Sequence, residues 1–354
     1  MKNILCYCRA GFETDLANEL QAQAAEHHIY GYTSFKKNTG YALFHCYQDA
    51  DAEQLIQRLS ITQLIFARQI FRASDAIDDI DSSDRIATLL EQVDDMPFCG
   101  ELRVEYPDTT EGRELSKFCR KFSVPLRQAL RKREVLSNKP LASKPVMHAF
   151  FPDGRTAYLG YSLPKLNSAL PLGIMRLKFP ASAPSRSTLK LDEAFQVFIP
   201  KEEHESRLSA GLHAVDLGAC PGGWTYQLVS RGMFVQAVDN GKMDDALMET
   251  GQVNYFPEDG FKFTPKKKNV YWLVCDMIEQ PQRVAKLMAT WLARGWCKEA
   301  MFNLKLPMKR RYESVQEAFD IIAQVLNQAD VKYTRQAKHL YHNREEVTVH
   351  LRRI

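Results

Sequence analysis

The stretch His213-Ala-Val-Asp-Leu-Gly-Ala-Cys-Pro-Gly-Gly-Trp-Thr-Tyr226 decides how the rest of the chain is read. His213 to Leu217 is a short apolar run suited to a buried strand, 218–223 is a loop of small residues, and Trp224 to Arg231 opens a helix. A strand, a glycine turn and a helix N-terminus together aim backbone N–H groups at a ligand. Gly218, Gly222 and Gly223 lack a Cβ, so backbone can approach that ligand closely, and Pro221 fixes one φ and removes one donor. Asp216 falls at the carboxyl end of the strand, where open α/β sheets bind their ligands. A G-x-G-x-x-G fingerprint would need glycine at 218, 220 and 223; position 220 is Cys220, so no diphosphate cradle is implied. A tight βα turn without any ligand would read the same in isolation.

Outward from this loop, residues 187–354 alternate strand and helix. A helix over 187–198 precedes the strand and helix of the loop. Then follow a strand at 234–239, a helix near 243–250, an irregular stretch over 252–268 and a strand at 270–275. A long helix at 281–295, a strand at 300–305, a helix at 311–328 and closing strands at 331–340 and 346–352 complete the pattern. Alternation ending in an antiparallel pair predicts a Rossmann-like, doubly wound sheet with helices on both faces. Residues 1–75 give the order β-α-β-β-α-β of a ferredoxin-like unit, a fold that serves many functions. Residues 76–165 read as a second small α/β unit, with two helical stretches separated by Pro125 and a strand-turn-strand at 146–161. Its run of Arg113, Lys117, Arg120, Lys121, Arg127, Arg131, Lys132 and Arg133 is either a solvated helix face or a phosphate-tracking surface. Residues 166–186, rich in Pro, Ser, Leu and Lys, read as a linker.

The 354 residues suffice for about two domains, and 45% hydrophobic with 25% charged residues is ordinary for a soluble globular protein. A formal net charge of +4 is too mild to name a partner. The eight cysteines form no C-x-x-C and no zinc spacing, which points to reduced, buried thiols. No signal-peptide core or membrane-length apolar run is present, so a cytoplasmic protein is expected.

Several further residues suit chemistry. Asp239 ends the second strand, roughly 20 residues after Asp216, where Rossmann-like folds put an acid on a ribose diol. Asp259 lies in the irregular stretch and suits an adenine amino group; Asp276 follows the apolar run ending at Cys275. Each alone reads equally as a helix cap or a solvated acid. Lys305 closes the apolar strand Met301-Phe-Asn-Leu-Lys305, a place where lysine is rare unless it snorkels. One βαβ step separates it from Asp276, so the two strand ends should be neighbours. Lys190 on the leading helix is a candidate second cation, and Glu346 opens the last strand.

Ser185-Arg-Ser-Thr-Leu-Lys190-Leu-Asp-Glu-Ala, Val215-Asp-Leu-Gly-Ala-Cys-Pro-Gly-Gly-Trp224, Cys275-Asp276-Met, Asn303-Leu-Lys305 and Arg344-Glu-Glu-Val347 resemble the FtsJ-like ribosomal RNA 2'-O-ribose methyltransferases. The resemblance covers about residues 185–354, and the 76–165 unit is similar to a THUMP-type RNA-binding region. It implies S-adenosylmethionine as cofactor, no metal, and a cytidine of large-subunit (23S) ribosomal RNA as substrate, either as free RNA or in an early precursor particle. Nothing in the sequence demands more than a monomer, which is the expected state. The family's Lys-Asp-Lys-Glu tetrad maps onto Lys190, Asp276, Lys305 and Glu346, with Glu345 as the adjacent alternative to Glu346. It places Ser187, Cys220, Pro221, Gly222, Gly223, Asp239 and Asp259 around the cofactor, with Asp216, Gly218 and Asp276. Two other readings stay open: an RNA base methyltransferase using Cys220 or Cys275 as nucleophile, and a non-catalytic RNA-binding or assembly factor.

Overall fold

In the computed structural model, which describes residues 1–354, the chain divides within the expected linker into two units, Met1–Ile174 and Met175–Ile354. Each unit is built on its own seven-stranded sheet.

The first unit begins with β1 (Asn3–Tyr7), α1 (Glu13–Glu26), β2 (Gly31–Ser34), β3 (Tyr41–Cys46), α2 (Asp49–Arg58) and β4 (Gln69–Ala73). These strands pair antiparallel in the order β2-β3-β1-β4, which is the ferredoxin-like arrangement. Then come α3 (Arg85–Leu90), β5 (Glu101–Glu105), α4 (Thr110–Glu114), α5 (Ser116–Lys132), β6 (Val146–Phe150) and β7 (Tyr158–Ser162). The small units expected at 1–75 and 76–165 share one sheet, because β4 pairs with β7 through Arg72↔Tyr161 and Ala73↔Gly160.

Pro125 does not divide two helices; it lies inside α5. The hydrogen bond lost at a proline is offset here by an amphipathic face that buries Cys119, Leu126 and Leu130. The basic run is divided by the same periodicity. Lys117, Arg120, Lys121 and Lys132 stay exposed, while Arg131 donates to the carbonyls of Ser137 (3.1 Å) and Asn138 (2.7 Å).

The second unit contains α6 (Thr188–Phe198), α7 (His204–Arg207), β8 (His213–Leu217), α8 (Gly223–Val229), β9 (Phe234–Val238), α9 (Asp245–Glu249) and β10 (Val253–Phe256). It continues with β11 (Val270–Cys275), α10 (Pro281–Ala293), β12 (Cys297–Lys305), α11 (Arg311–Gln328), β13 (Tyr333–Lys338) and β14 (Glu346–Arg353). The sheet order is β10-β9-β8-β11-β12-β14-β13; β14 alone runs antiparallel to both its neighbours. The stretch expected to be irregular, 252–268, contributes β10, which pairs parallel to β9 at the sheet edge. Its only buried residue is Val253, so it lacks the apolar run that marks the interior strands.

Residues 272–275 of β11 are fully buried, as a parallel strand covered on both faces should be. Strand order reverses between β8 and β11, and at such a switch the carboxyl ends leave a crevice. No helix is long and apolar enough to cross a membrane.

On β12, Glu299 is wholly buried. It accepts from Arg207 Nε at 2.8 Å, from Tyr271 Oη at 3.0 Å and from His350 Nε2 at 2.7 Å. Burial pushes the carboxyl pKa up, but His350 and Arg207 outweigh it and hold it at about 2. A folded value below the unfolded one gives stability that is present above about pH 4.5 and lost as pH falls through 2. Glu299→Gln should therefore cost about 3 kcal/mol at pH 7, since it leaves a buried guanidinium without its counter-charge. Denaturant titration should show this deficit shrinking below pH 4.5; a pH-independent deficit would refute the ionic account.

Candidate active site

The carboxyl ends of β11 and β12 and the start of β14 meet at one edge of the sheet. Cys275 pairs with Phe302, which sets Asp276 beside Asn303, and Lys305 pairs with Glu346. α6 brings Lys190 to the same place. Lys305 Nζ lies 2.5 Å from Asp276 Oδ1, and Lys190 Nζ lies 3.4 Å from Asp276 Oδ2 and 2.5 Å from Glu346 Oε1. The four side chains retain between 7% and 21% of their exposure, enough for a substrate group to reach them. Glu345, in the bend just before β14, turns outward to bond Arg311 at 2.8 Å, and Glu346, the first residue of the strand, turns in.

Burial works to lower the pKa of Lys190, but Asp276 and Glu346 outweigh it and the net shift is upward. Lys190 is thus a fixed cation. A buried polar relay supports Asp276 from behind. Asn303 Nδ2 donates to Asp276 Oδ1 at 2.8 Å, Thr348 Oγ1 donates to Asn303 Oδ1 at 2.7 Å, and Asn343 Nδ2 donates to Thr348 Oγ1 at 2.9 Å. The sequence reading missed this relay, although an asparagine inside the apolar β12 signals a required partner.

Next to the four groups lies a cavity of about 470 Å³ lined in part by Gly218, Cys220, Asp239, Asp259, Gly260 and Asp276. Gly260 and the neighbouring Met277 were also missed. A Cβ at Gly218 would meet Met277 Cγ at 2.6 Å and one at Gly260 would meet Met277 Sδ at 2.9 Å, so the methionine closes over both glycines. Gly218 further needs its positive φ of 76°, and Gly222 a φ of 121°.

Ser187, Asp216, Pro221, Gly222 and Gly223 do not line this cavity. Ser187 precedes α6 and packs so tightly on Gly223 that a Cβ there would stand 2.1 Å from its Oγ. Pro221 accepts the Asp244 N–H at 3.0 Å.

Asp239 holds the loop, accepting from Cys220 N at 2.9 Å and Gly241 N at 3.0 Å. Asp259 accepts from Phe261 N at 2.9 Å. Asp216 is buried; Thr225 Oγ1 donates to its Oδ2 at 2.7 Å, and Oδ1 has no partner. Burial raises its pKa to about 7, against the Thr225 hydrogen bond and with the help of Asp276 and Asp239. Five acids on the cavity wall, Asp239, Glu258, Asp259, Asp276 and Glu279, fit a ligand that carries positive charge.

The two candidate thiols do not fit a nucleophile. Burial, then Asp239 and Asp216, push Cys220 up to about 11, and burial pushes Cys275 up to about 12, so both stay protonated near neutrality.

Three family models match the chain. Residues 1–71 match the RlmM ferredoxin-like domain, 84–163 the N-terminal region of ribosomal RNA large subunit methyltransferase M, and 183–337 the FtsJ-like methyltransferase. The chain is 64% identical to ribosomal RNA large subunit methyltransferase M of Pseudoalteromonas atlantica, over 99% of each chain. It is 54% identical to the protein of that name in Aliivibrio salmonicida, over 100% of this chain and 98% of the relative. For that of Vibrio parahaemolyticus the identity is 55%, over 98% of each.

The unpartnered Asp216 has a measurable signature. Its folded pKa of about 7 exceeds that of an unfolded carboxyl, so its contribution to stability is full below about pH 4 and is lost as pH rises through 7. Asp216→Asn in the ligand-free protein should melt a few degrees above the parent at pH 8.5, for a gain of about 1–3 kcal/mol, and converge with it near pH 4.5. Calorimetric melts across this range check it; a variant less stable at pH 8.5 would refute the assignment.

Proposed function

Because this chain belongs to the ribosomal RNA large subunit methyltransferase M family, we propose that it methylates the 2'-hydroxyl of a cytidine in large-subunit (23S) ribosomal RNA, with S-adenosylmethionine as donor. The observation that carries this reading is the pair of lysines interleaved with two carboxylates beside an acid-lined cavity.

The residues fit the cofactor. Gly218, Cys220, Asp239, Asp259 and Asp276 would hold it, with Asp216 beneath and Ser187, Pro221, Gly222 and Gly223 fixing the loop. When bound, S-adenosylmethionine supplies an electrophilic methyl group on a sulfonium, which departs as a neutral thioether. A ribose hydroxyl is a weak nucleophile and needs a base. Lys305, in its neutral form, accepts the hydroxyl proton at Nζ as the oxygen attacks. Asp276 orients that amine through Oδ1. Lys190, a cation beside the other oxygen of Asp276, compensates part of that carboxylate's charge and disfavours a second cation nearby, which helps keep Lys305 neutral. Glu346 holds Lys190. Much of the rate comes from alignment of hydroxyl and methyl.

We also assign the enzyme to the cytoplasm as a monomer, acting on free RNA or an early precursor particle through the first unit. The base-methylating alternative needs an activated thiol, which Cys220 and Cys275 do not supply.

The test uses purified protein, methyl-labelled S-adenosylmethionine and large-subunit RNA from cells lacking this protein. Digestion to nucleosides should put the label in 2'-O-methylcytidine; label on a base would overturn the reading. Lys305→Ala should lower turnover at least about a hundredfold with cofactor affinity nearly unchanged. Glu346→Gln should cost about tenfold in kcat, whereas Glu345→Gln, which changes an outward-facing pair, should stay within about twofold. Equal effects from the two glutamates would sink their distinct roles.

A further inference from the structure

Glu193 lies one helical turn beyond Lys190 on α6 and is 3% exposed, a burial that an acid tolerates only when its oxygens are fully used. Its Oε1 accepts the Tyr341 N–H at 2.8 Å; its Oε2 accepts the His342 N–H at 2.8 Å and the His342 Nδ1–H at 2.7 Å. Charge-assisted bonds of this kind are among the stronger ones in a fold. They tie α6 to the loop between β13 and β14, and that loop leads directly into Glu346.

The same loop reaches both carboxylates of the tetrad. Glu346 at its end bonds Lys190 Nζ at 2.5 Å. Asn343 within it is buried and donates to Thr348, from which the relay runs through Asn303 to Asp276 Oδ1. Lys190 bonds Asp276 Oδ2 and so returns to α6. The hydrogen bonds therefore close a ring: Glu193, loop, Asn343, Thr348, Asn303, Asp276, Lys190 and back to the helix that carries Glu193. Without the Glu193 link the ring is an open chain, and the remaining polar ties from the loop to α6 all end on Lys190, through Glu346 and through the relay to Asp276.

We infer that Glu193 is a positioning residue for methyl transfer, which acts through the 341–346 loop to hold Glu346 and Asp276 at their distances from the two lysines. This rests on the proposed function of the tetrad. Glu193 touches neither the lysine amines nor the acid-lined cavity, so its effect falls on the chemical step and not on cofactor binding. Residues acting as one unit are non-additive, whereas a merely stabilising residue adds its effect in any background.

The experiment is a double-mutant cycle. Glu193→Gln keeps the side-chain shape but replaces one acceptor oxygen by a donor, opposing a bond it now makes. We expect kcat to fall about tenfold, with KM for RNA and the calorimetric Kd for S-adenosylmethionine within about twofold of the parent. In a Glu346→Gln background the same change should cost less than about twofold. His342→Ala, which removes one of the three bonds and spares the two amides, should lower kcat about threefold and show the same collapse. It decides the question if Glu193→Gln does not fold. A parental kcat in the folded variant, or full additivity with Glu346→Gln, overturns the inference. Lys305→Ala, assayed in parallel, separates the two levels: retained turnover there refutes the base assignment itself, while lost turnover with a parental Glu193→Gln refutes only the positioning.

Discussion

One carboxylate organises the catalytic edge of this protein. Asp276 accepts from Lys305 and Asn303 on one oxygen and from Lys190 on the other. Three donors on two elements, β12 twice and α6 once, converge on a single planar group. A carboxylate has about four acceptor directions, so this set nearly saturates it and fixes its plane. The two lysines would repel one another if Asp276 were absent. With it, and with Glu346, the two lysines at rest are matched by two carboxylates, and the group can stay largely buried at the sheet edge until Lys305 gives up its proton to serve as base. The topology serves this arrangement: β14 inserts between β12 and β13, and only its antiparallel direction starts a strand where its neighbour β12 ends.

A second electrostatic pattern lies beside the first. At the tetrad, acid and base are matched; at the glycine loop, acids are in excess, and one, Asp216, is buried with an oxygen unsatisfied. Satisfied networks hold a structure in place, and unsatisfied ones mark where something else is meant to bind. The same sheet edge therefore has one half whose charges are matched within the protein and another where Asp216 keeps an oxygen without a partner.

The parts of this legible in sequence were those in which one local feature broke an expected pattern. The glycine spacing after an apolar run pointed to the loop beside the cavity, and a lysine ending an apolar strand pointed to the amine that meets Asp276. The choice between Glu345 and Glu346 was not decidable from neighbouring letters, because it depends on where β14 begins and which way its first residue faces, and that is set by pairing with β12. The relay of Asn343, Thr348 and Asn303 was hidden because its members are distant in sequence and each is unremarkable alone. β10 escaped because an edge strand with one buried residue has no periodicity to read. Pro125 misled because local propensity was overridden by packing of the rest of α5. The joining of β4 to β7 rests on two residue pairs, too short a seam for any pattern to announce.

The excess of acid at the glycine loop also bears on how the enzyme lets go. In the proposed reaction the donor loses its sulfonium charge while a proton arrives at Lys305, whose partner Asp276 stands on the cavity wall. On that proposal, Asp239 and Asp259 on the same wall would have less to hold in the spent, neutral thioether than in the cationic donor. The carboxylates that would favour fresh donor would then also favour its taking the place of spent donor.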